Sequence, residues 1–204
     1  MAFHPGFVCI LGRPNAGKSS LLNHLLKEYI ALATKSFEQK HQHVSINIKT
    51  DFDPNLQKTS VVSQDIGRAL MNIFDNAFYA VLLQKEIIRS EFTPTINIAS
   101  KQQAESVEIS IRDNGVGITE ANRLKIFQPF FTTKPTGTGT GLGLSIAYDI
   151  IVHEHNGEIR VNSKEGEYTE FIIRLPCKAE KMLKSTPSHA IAYQGNESAQ
   201  FIEL

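Results

Sequence analysis

The sequence predicts an α/β domain, and three observations carry that reading. Segments with apolar residues at every second position recur as strands: VSINIKTDF at 44–52, TINIAS at 95–100 and VEISIRD at 107–113. Between residues 62 and 84, Ile66, Leu70, Ile73, Ala77 and Val81 step by four and three, the spacing of one apolar helix face. The stretch FQPFFTTKPTGTGTGLGLS, 127–145, sets Gly137, Gly139, Gly141 and Gly143 at alternating positions directly before the apolar run SIAYDIIV.

That glycine stretch organises the chain. Glycine lets backbone N–H groups close on a ligand, and a glycine-rich loop opening a helix is an anion site because the first turn lacks intrahelical partners. A flexible linker has the same Gly/Thr composition. The apolar cluster FQPFF before it and the helix after it favour a phosphate loop.

The chain has 204 residues, enough for one or two domains, and a formal net charge of +0. Neutrality removes the bulk electrostatic case for nucleic acid or an acidic membrane as partner. Two distant cysteines, Cys9 and Cys177, form neither a disulfide framework nor a cysteine zinc site and suit a reducing, cytoplasmic setting. No apolar run approaches a membrane span, and MAFHPGFVCILG is not expected to be a signal peptide.

At the N-terminus, FVCILG reads as a buried strand, GRPNAGKSS as a turn and LLNHLLKEY as a helix. Gly12, Gly17, Lys18 and Ser19 fit G-x-x-x-x-G-K-S, a phosphate cradle with a Mg²⁺-ligating hydroxyl. Over residues 5–35 this segment resembles the start of Era-type ribosome-assembly GTPases. No D-x-x-G or N-K-x-D follows, so a P-loop βα fragment without the rest of its sheet is expected.

SFEQKHQH, 36–43, reads as a solvated lead-in to the first strand of the main domain, and His41 with His43 as solvated rather than metal-bound. Asp53-Pro54-Asn55 turns the chain. In the 62–84 helix Ser63 is the expected N-cap. Asn72 and Asn76 stack one turn apart beside the apolar stripe. Their amide oxygens suit Mg²⁺, or they simply face water. Residues 86–94 read as a turn. Asp113, at a strand end before Gly115 and Gly117, can accept from a ligand amine or belong to a plain turn. Thr119 is expected to cap EANRLKIF. The helix after the glycines is expected to end at Asn156-Gly157, with His153 and His155 structural, and EIRVNS and TEFIIRLP to close a hairpin. Residues 177–204 read as a poorly ordered tail.

In order, Asn72-Ile-Phe-Asp-Asn76-Ala, DNGVGI at 113–118, FQPFF at 127–131 and GTGTGLGLS at 137–145 resemble the ATP-binding catalytic domain of sensor histidine kinases. That superfamily includes DNA gyrase, the MutL repair proteins and the heat-shock chaperone ATPases. The match covers about residues 36–176. It implies a Bergerat-type two-layer α/β sandwich, a mixed, mostly antiparallel sheet with helices on one face. It implies Mg²⁺ on Asn76 and Asn72, and the adenine amino group on Asp113. Gly115 and Gly117 would let the base lie against the backbone, and Lys134 would reach the phosphates. Thr138, Gly139, Thr140, Gly141, Leu142 and Gly143 would form the ATP lid, hinged at Phe130 and Phe131. Asn72 stands where the ATPase members carry a catalytic Glu. An amide is no general base, so phosphoryl transfer to a partner fits better than hydrolysis.

The expected organisation is a P-loop fragment at 1–35, a histidine-kinase-type ATP domain at 36–176 and a tail at 177–204. No histidine lies in a phosphoacceptor hairpin, so the acceptor, and any response regulator, would come from a partner chain. The alternatives are a non-catalytic ATP-binding regulator and, last, a GTP-binding relic.

Overall fold

The computed structural model describes residues 21–88, 91–135, 137 and 139–177. The GxxxxGKS segment, the strand expected before it, Thr138 and the expected tail beyond Cys177 lie outside the described residues. The elements are α1 (Leu21–Lys40), β1 (Asn47–Phe52), α2 (Ser63–Ile88), β2 (Thr95–Gln102), β3 (Ser106–Asp113), α3 (Glu120–Arg123), α4 (Gly143–Tyr148), β4 (Glu158–Lys164) and β5 (Tyr168–Pro176). A π-helical turn, Asp149–Glu154, continues α4.

The five strands form one sheet in the order β1-β2-β3-β5-β4. Only β1 and β2 run parallel; the other pairs are antiparallel. This is the mixed, mostly antiparallel α/β sandwich expected. Side-chain alternation assigns the faces. Ile96 and Ile98, Val107, Ile109 and Ile111, and Phe171, Ile173 and Leu175 are buried under the helices. The opposite phase carries cross-strand ion pairs, Arg174–Glu108 at 2.8 Å and Arg112–Glu170 at 3.9 Å. Asp113 and Thr169 lie opposite one another at the ends of β3 and β5. Both continue the buried phase, so the strand pattern itself delivers a carboxyl to the core side.

Helix α2 is the spine of the helical layer, and its predicted stripe is fully inside: Ile66, Leu70, Ile73, Ala77 and Val81 are all buried. Its start differs from expectation. Val62, not Ser63, is the N-cap, for its carbonyl accepts from the N–H groups of Asp65 and Ile66. The Val62 N–H donates to His155 Nε2 at 3.1 Å, while Nδ1 meets the Ile150 carbonyl at 2.8 Å. A distant imidazole thus takes the N-cap residue's own N–H, the place of the third-position Glu or Gln in a capping box. The helix also runs on to Ile88, into residues expected as a turn.

Helix α1 corrects the reading of the lead-in. It spans 20 residues without a break, so Ser36 to Lys40 are helical rather than irregular. Leu22, Leu25, Leu26, Ala33 and Phe37 all bury in the same cluster as α2 and the sheet. The Tyr29 ring crosses α2 at Gly67, where a Cβ would lie 1.9 Å from Tyr29 Cζ. Buried Asn23 fastens α1 to the sheet, donating to the Asp53 carbonyl and accepting from Ser100 Oγ, each at 2.7 Å. The leucines expected to serve a P-loop βα unit therefore pack into this domain's core.

Two further helices are shorter or less regular than their sequence suggests. EANRLKIF yields only Glu120–Arg123, and Thr119 caps it through its carbonyl, with no side-chain bond. The last helix slackens into π geometry before Asn156, at φ 50°, turns the chain.

Candidate functional site

A cavity of about 550 Å³ opens between α2, the β3–α3 loop, the glycine segment and the β4–β5 turn. That volume lies in the range of small-molecule and cofactor sites. Asn72, Asn76, Asp113, Gly117, Lys134, Gly139, Thr140, Gly141 and Gly143 all line it. The chain brings these residues together from positions 72 to 143. Gly115 and Leu142 are not among the lining residues, and Thr138 lies outside the described ones.

Helix α2 sets the long wall. Asn76 Nδ2 donates to the Asn72 carbonyl at 2.8 Å, which fixes which end of the amide is nitrogen. Its Oδ1, the hard ligand, is left out of that bond. Gly143, the first residue of α4, closes on Asn72: a Cβ there would stand 3.3 Å from Asn72 Oδ1. No group of three His, Cys, Asp or Glu suited to a metal occurs among the described residues. A cation at this wall would be held by amide oxygens together with oxygens of a ligand and water, the habit of Mg²⁺.

At the other end of the cavity is Asp113, 2% exposed. Burial pushes its carboxyl up to about 7, against the Gly115 and Thr169 backbone hydrogen bonds that hold it down. The Gly115 N–H donates to Asp113 Oδ1 at 2.8 Å. The glycines of this loop have different reasons. A Cβ on Gly115 would meet the Ala80 backbone at 2.4 Å, so this residue admits the loop to α2 rather than a ligand. Gly117 has φ 68°, and its Cβ would strike the Lys164 carbonyl at 2.2 Å. The loop is fastened on both sides: Val116 N–H donates to the Ala80 carbonyl, and the Val116 carbonyl accepts from Gly166 N–H.

The glycine segment folds back on FQPFF. Gly141 has φ 68°, and a Cβ there would come within 2.4 Å of the Phe130 carbonyl carbon. Phe131 packs against the core, but Phe130 does not anchor by burial. It has φ 66° and is 75% exposed, and its backbone, not its ring, meets Gly141. Lys134 is half-buried, and its Nζ lies 4.6 Å from the centroid of the Tyr79 ring. Burial lowers its pKa, and the Asp75 carboxylate works against that shift.

Asp75, Tyr79, Glu165 and Thr169 also line the cavity and were missed by sequence reasoning. Helical spacing could have found Tyr79, which stands three positions after Asn76 on the same face. Glu165 arrives through the β4–β5 turn and has no local signal.

A family model described as histidine kinase-, DNA gyrase B-, and HSP90-like ATPase matches residues 61–179. A second, described as 50S ribosome-binding GTPase, matches residues 7–75 and so overlaps the first within α2. The signal transduction histidine-protein kinase AtoS of Escherichia coli K12 is 35% identical over 159 residues, 78% of this chain and 24% of that protein. The sensory histidine kinase/phosphatase NtrB of Vibrio alginolyticus is 33% identical over 171 residues, 82% of this chain and 47% of that protein. The chain thus spans less than half the length of these relatives. Among solved structures, the nucleotide-free catalytic domain of histidine kinase ThkA aligns with a TM-score of 0.61 at 34% identity, over 76% of this chain and 91% of that one. The mycobacterial sensor histidine kinase MprB aligns with a TM-score of 0.56 at 25% identity, over 74% and 93%. Shared motif order, sheet and cavity agree with these matches: the chain belongs to the histidine kinase-, gyrase B- and HSP90-like ATPase family, and carries the ATP-binding domain of its histidine kinase branch.

Proposed function

We propose that this chain binds ATP with Mg²⁺ in the cavity along α2 and transfers the γ-phosphoryl group to a histidine supplied by a partner chain. The observation that carries this reading is the convergence of Asn72, Asn76, Asp113 and the glycine segment on one cavity. Asp113 receives the adenine amino group, its carboxylate buried where it discriminates between donors and acceptors. Asn72 and Asn76 offer amide oxygens to Mg²⁺, which neutralises charge on the phosphates when bound. Lys134 adds a cation from the segment leading into the glycines. Gly139, Thr140, Gly141 and Gly143 let the backbone close over the phosphates.

Asn72 favours transfer over hydrolysis. It cannot accept a proton from water, so the nucleophile must be a group that attacks unaided, and an imidazole nitrogen does so. The acceptor hairpin and a response regulator belong to partners, and the setting is the cytoplasm. No described helix is long and apolar enough to cross a membrane.

The test is to mix the chain with labelled ATP, Mg²⁺ and the histidine-bearing hairpin of a sensor kinase relative. Acid-labile, base-stable label on the hairpin supports the reading. ATP binding without transfer to any such hairpin would instead favour a non-catalytic ATP-binding regulator.

A further inference from the structure

Lys134 raises a question of position. Along α2, Asn72 touches Gly143 at one end of the cavity. Ala80 touches Gly115 and Val116, beneath the Asp113 loop, at the other. Tyr79 adjoins Ala80, seven positions after Asn72, and at 1.5 Å per residue that is about 10 Å along the helix axis. The Lys134 ammonium lies over this ring, 4.6 Å from its centroid, and so is engaged by an aromatic face of α2. Asp75 stands one turn before Tyr79 on the same face and lines the same cavity. A cation over an aromatic face with a carboxylate in reach is a bound state in its own right.

Resting on the reading of the cavity as an ATP site and of Lys134 as a phosphate ligand, we infer that Tyr79 and Asp75 form a resting seat for Lys134. The ammonium leaves this seat when the phosphates of ATP arrive. The seat and the nucleotide compete for one cation. The apparent affinity for ATP is then lowered by the fraction of molecules in which Lys134 is seated. Tyr79 and Asp75 are positioning residues in this account: they act through Lys134 and set ATP affinity without contacting the reacting atoms.

The experiment is calorimetric titration of ATP with Mg²⁺ into the full chain and its variants. Tyr79→Leu removes the ring face and is expected to tighten ATP binding about two- to fivefold. Tyr79→Phe keeps the face and is expected to retain the wild-type value. Asp75→Asn is expected to tighten binding too. In a Lys134→Ala background, Tyr79→Leu is expected to change nothing further, because the coupling runs through the ammonium. Weakened or unchanged binding in Tyr79→Leu overturns the seat, as does an effect of equal size in the Lys134→Ala background. If Tyr79→Leu does not fold, Asp75→Asn at its exposed position carries the test alone, and unchanged or weaker binding overturns the inference. A wild-type chain that binds no ATP overturns the nucleotide reading together with the seat. Normal wild-type binding with unmoved variants overturns the seat alone.

Discussion

Gly143 and Asn72 meet at one end of the cavity, where a Cβ on the glycine would lie 3.3 Å from Oδ1 and 3.5 Å from Cγ of the asparagine. The first residue of α4 is thus in register with the asparagine-bearing wall of α2. Gly141 is held more tightly still, by a positive φ and by the Phe130 backbone at 2.4 Å. We expect Gly141→Ala to weaken ATP binding by about tenfold, since left-handed backbone strain on this scale costs ~1–3 kcal/mol. Gly143→Ala should do less, because a side-chain amide can yield where a backbone cannot. Calorimetric titration of both variants checks the ranking, and the reverse order would contradict it.

Asp113 makes stability depend on pH in a stated direction. Its folded carboxyl titrates near 7 and its unfolded reference is 3.8. Between those values the native chain holds the extra proton, so stability falls as pH rises and the cost of the buried charge is fully present above 7. Lowering the pH from 8 to 6 should stabilise wild type relative to Asp113→Asn by about 1 kcal/mol. Urea unfolding of both proteins at the two pH values measures it. On the proposed reading the adenine amino group donates to the ionised carboxylate, so ATP affinity should rise as pH rises through this range.

His155 ties two elements 93 residues apart through Val62. His155→Phe removes the acceptor for the Val62 N–H and the partner of the Ile150 carbonyl at once. An orphaned carbonyl at buried Ile150 costs ~1–3 kcal/mol, and the N–H of exposed Val62 costs less because water can reach it. Chemical denaturation should show the loss, and a shift within error of zero would mean that water replaces both bonds.

Helix α1 is expected to be part of the ATP domain's fold. Leu26 is 0% exposed inside the shared core, and Leu26→Ala should destabilise the chain by ~2–5 kcal/mol. Gly67→Ala should be comparably severe, since its methyl would enter the Tyr29 ring. A single cooperative transition in which both variants shift the midpoint supports one folding unit. Variants that unfold only α1, leaving the ATP domain's transition in place, would show two.

Much of this was legible because period and burial coincide. The stripe from Ile66 to Val81, the hairpins and the order of the glycine boxes follow from local side-chain pattern, and the sheet obeys them. What escaped the sequence depends on contacts between distant residues. Val62 caps α2 through its carbonyl and is itself held by His155, so no local side chain marks the start of the helix. Gly115 looks like a ligand-facing glycine until Ala80 is seen against it. The resemblance makes Phe130 a hinge of the lid, and there its backbone rather than its exposed ring meets Gly141. The leucines after the GxxxxGKS motif carry an amphipathic pattern that two different cores could use, and only the structure says which.

In the proposed reading, Asp113 and the α2 asparagines frame one ATP site. Its most direct test is calorimetric titration of ATP with Mg²⁺ into the wild-type chain and into Asp113→Asn under identical conditions. The account predicts saturable one-site binding by the wild type, weakened in Asp113→Asn by about tenfold or more, as expected when a buried group reads a ligand's donor. Equal affinity in the two proteins, or no binding by the wild type, would contradict it.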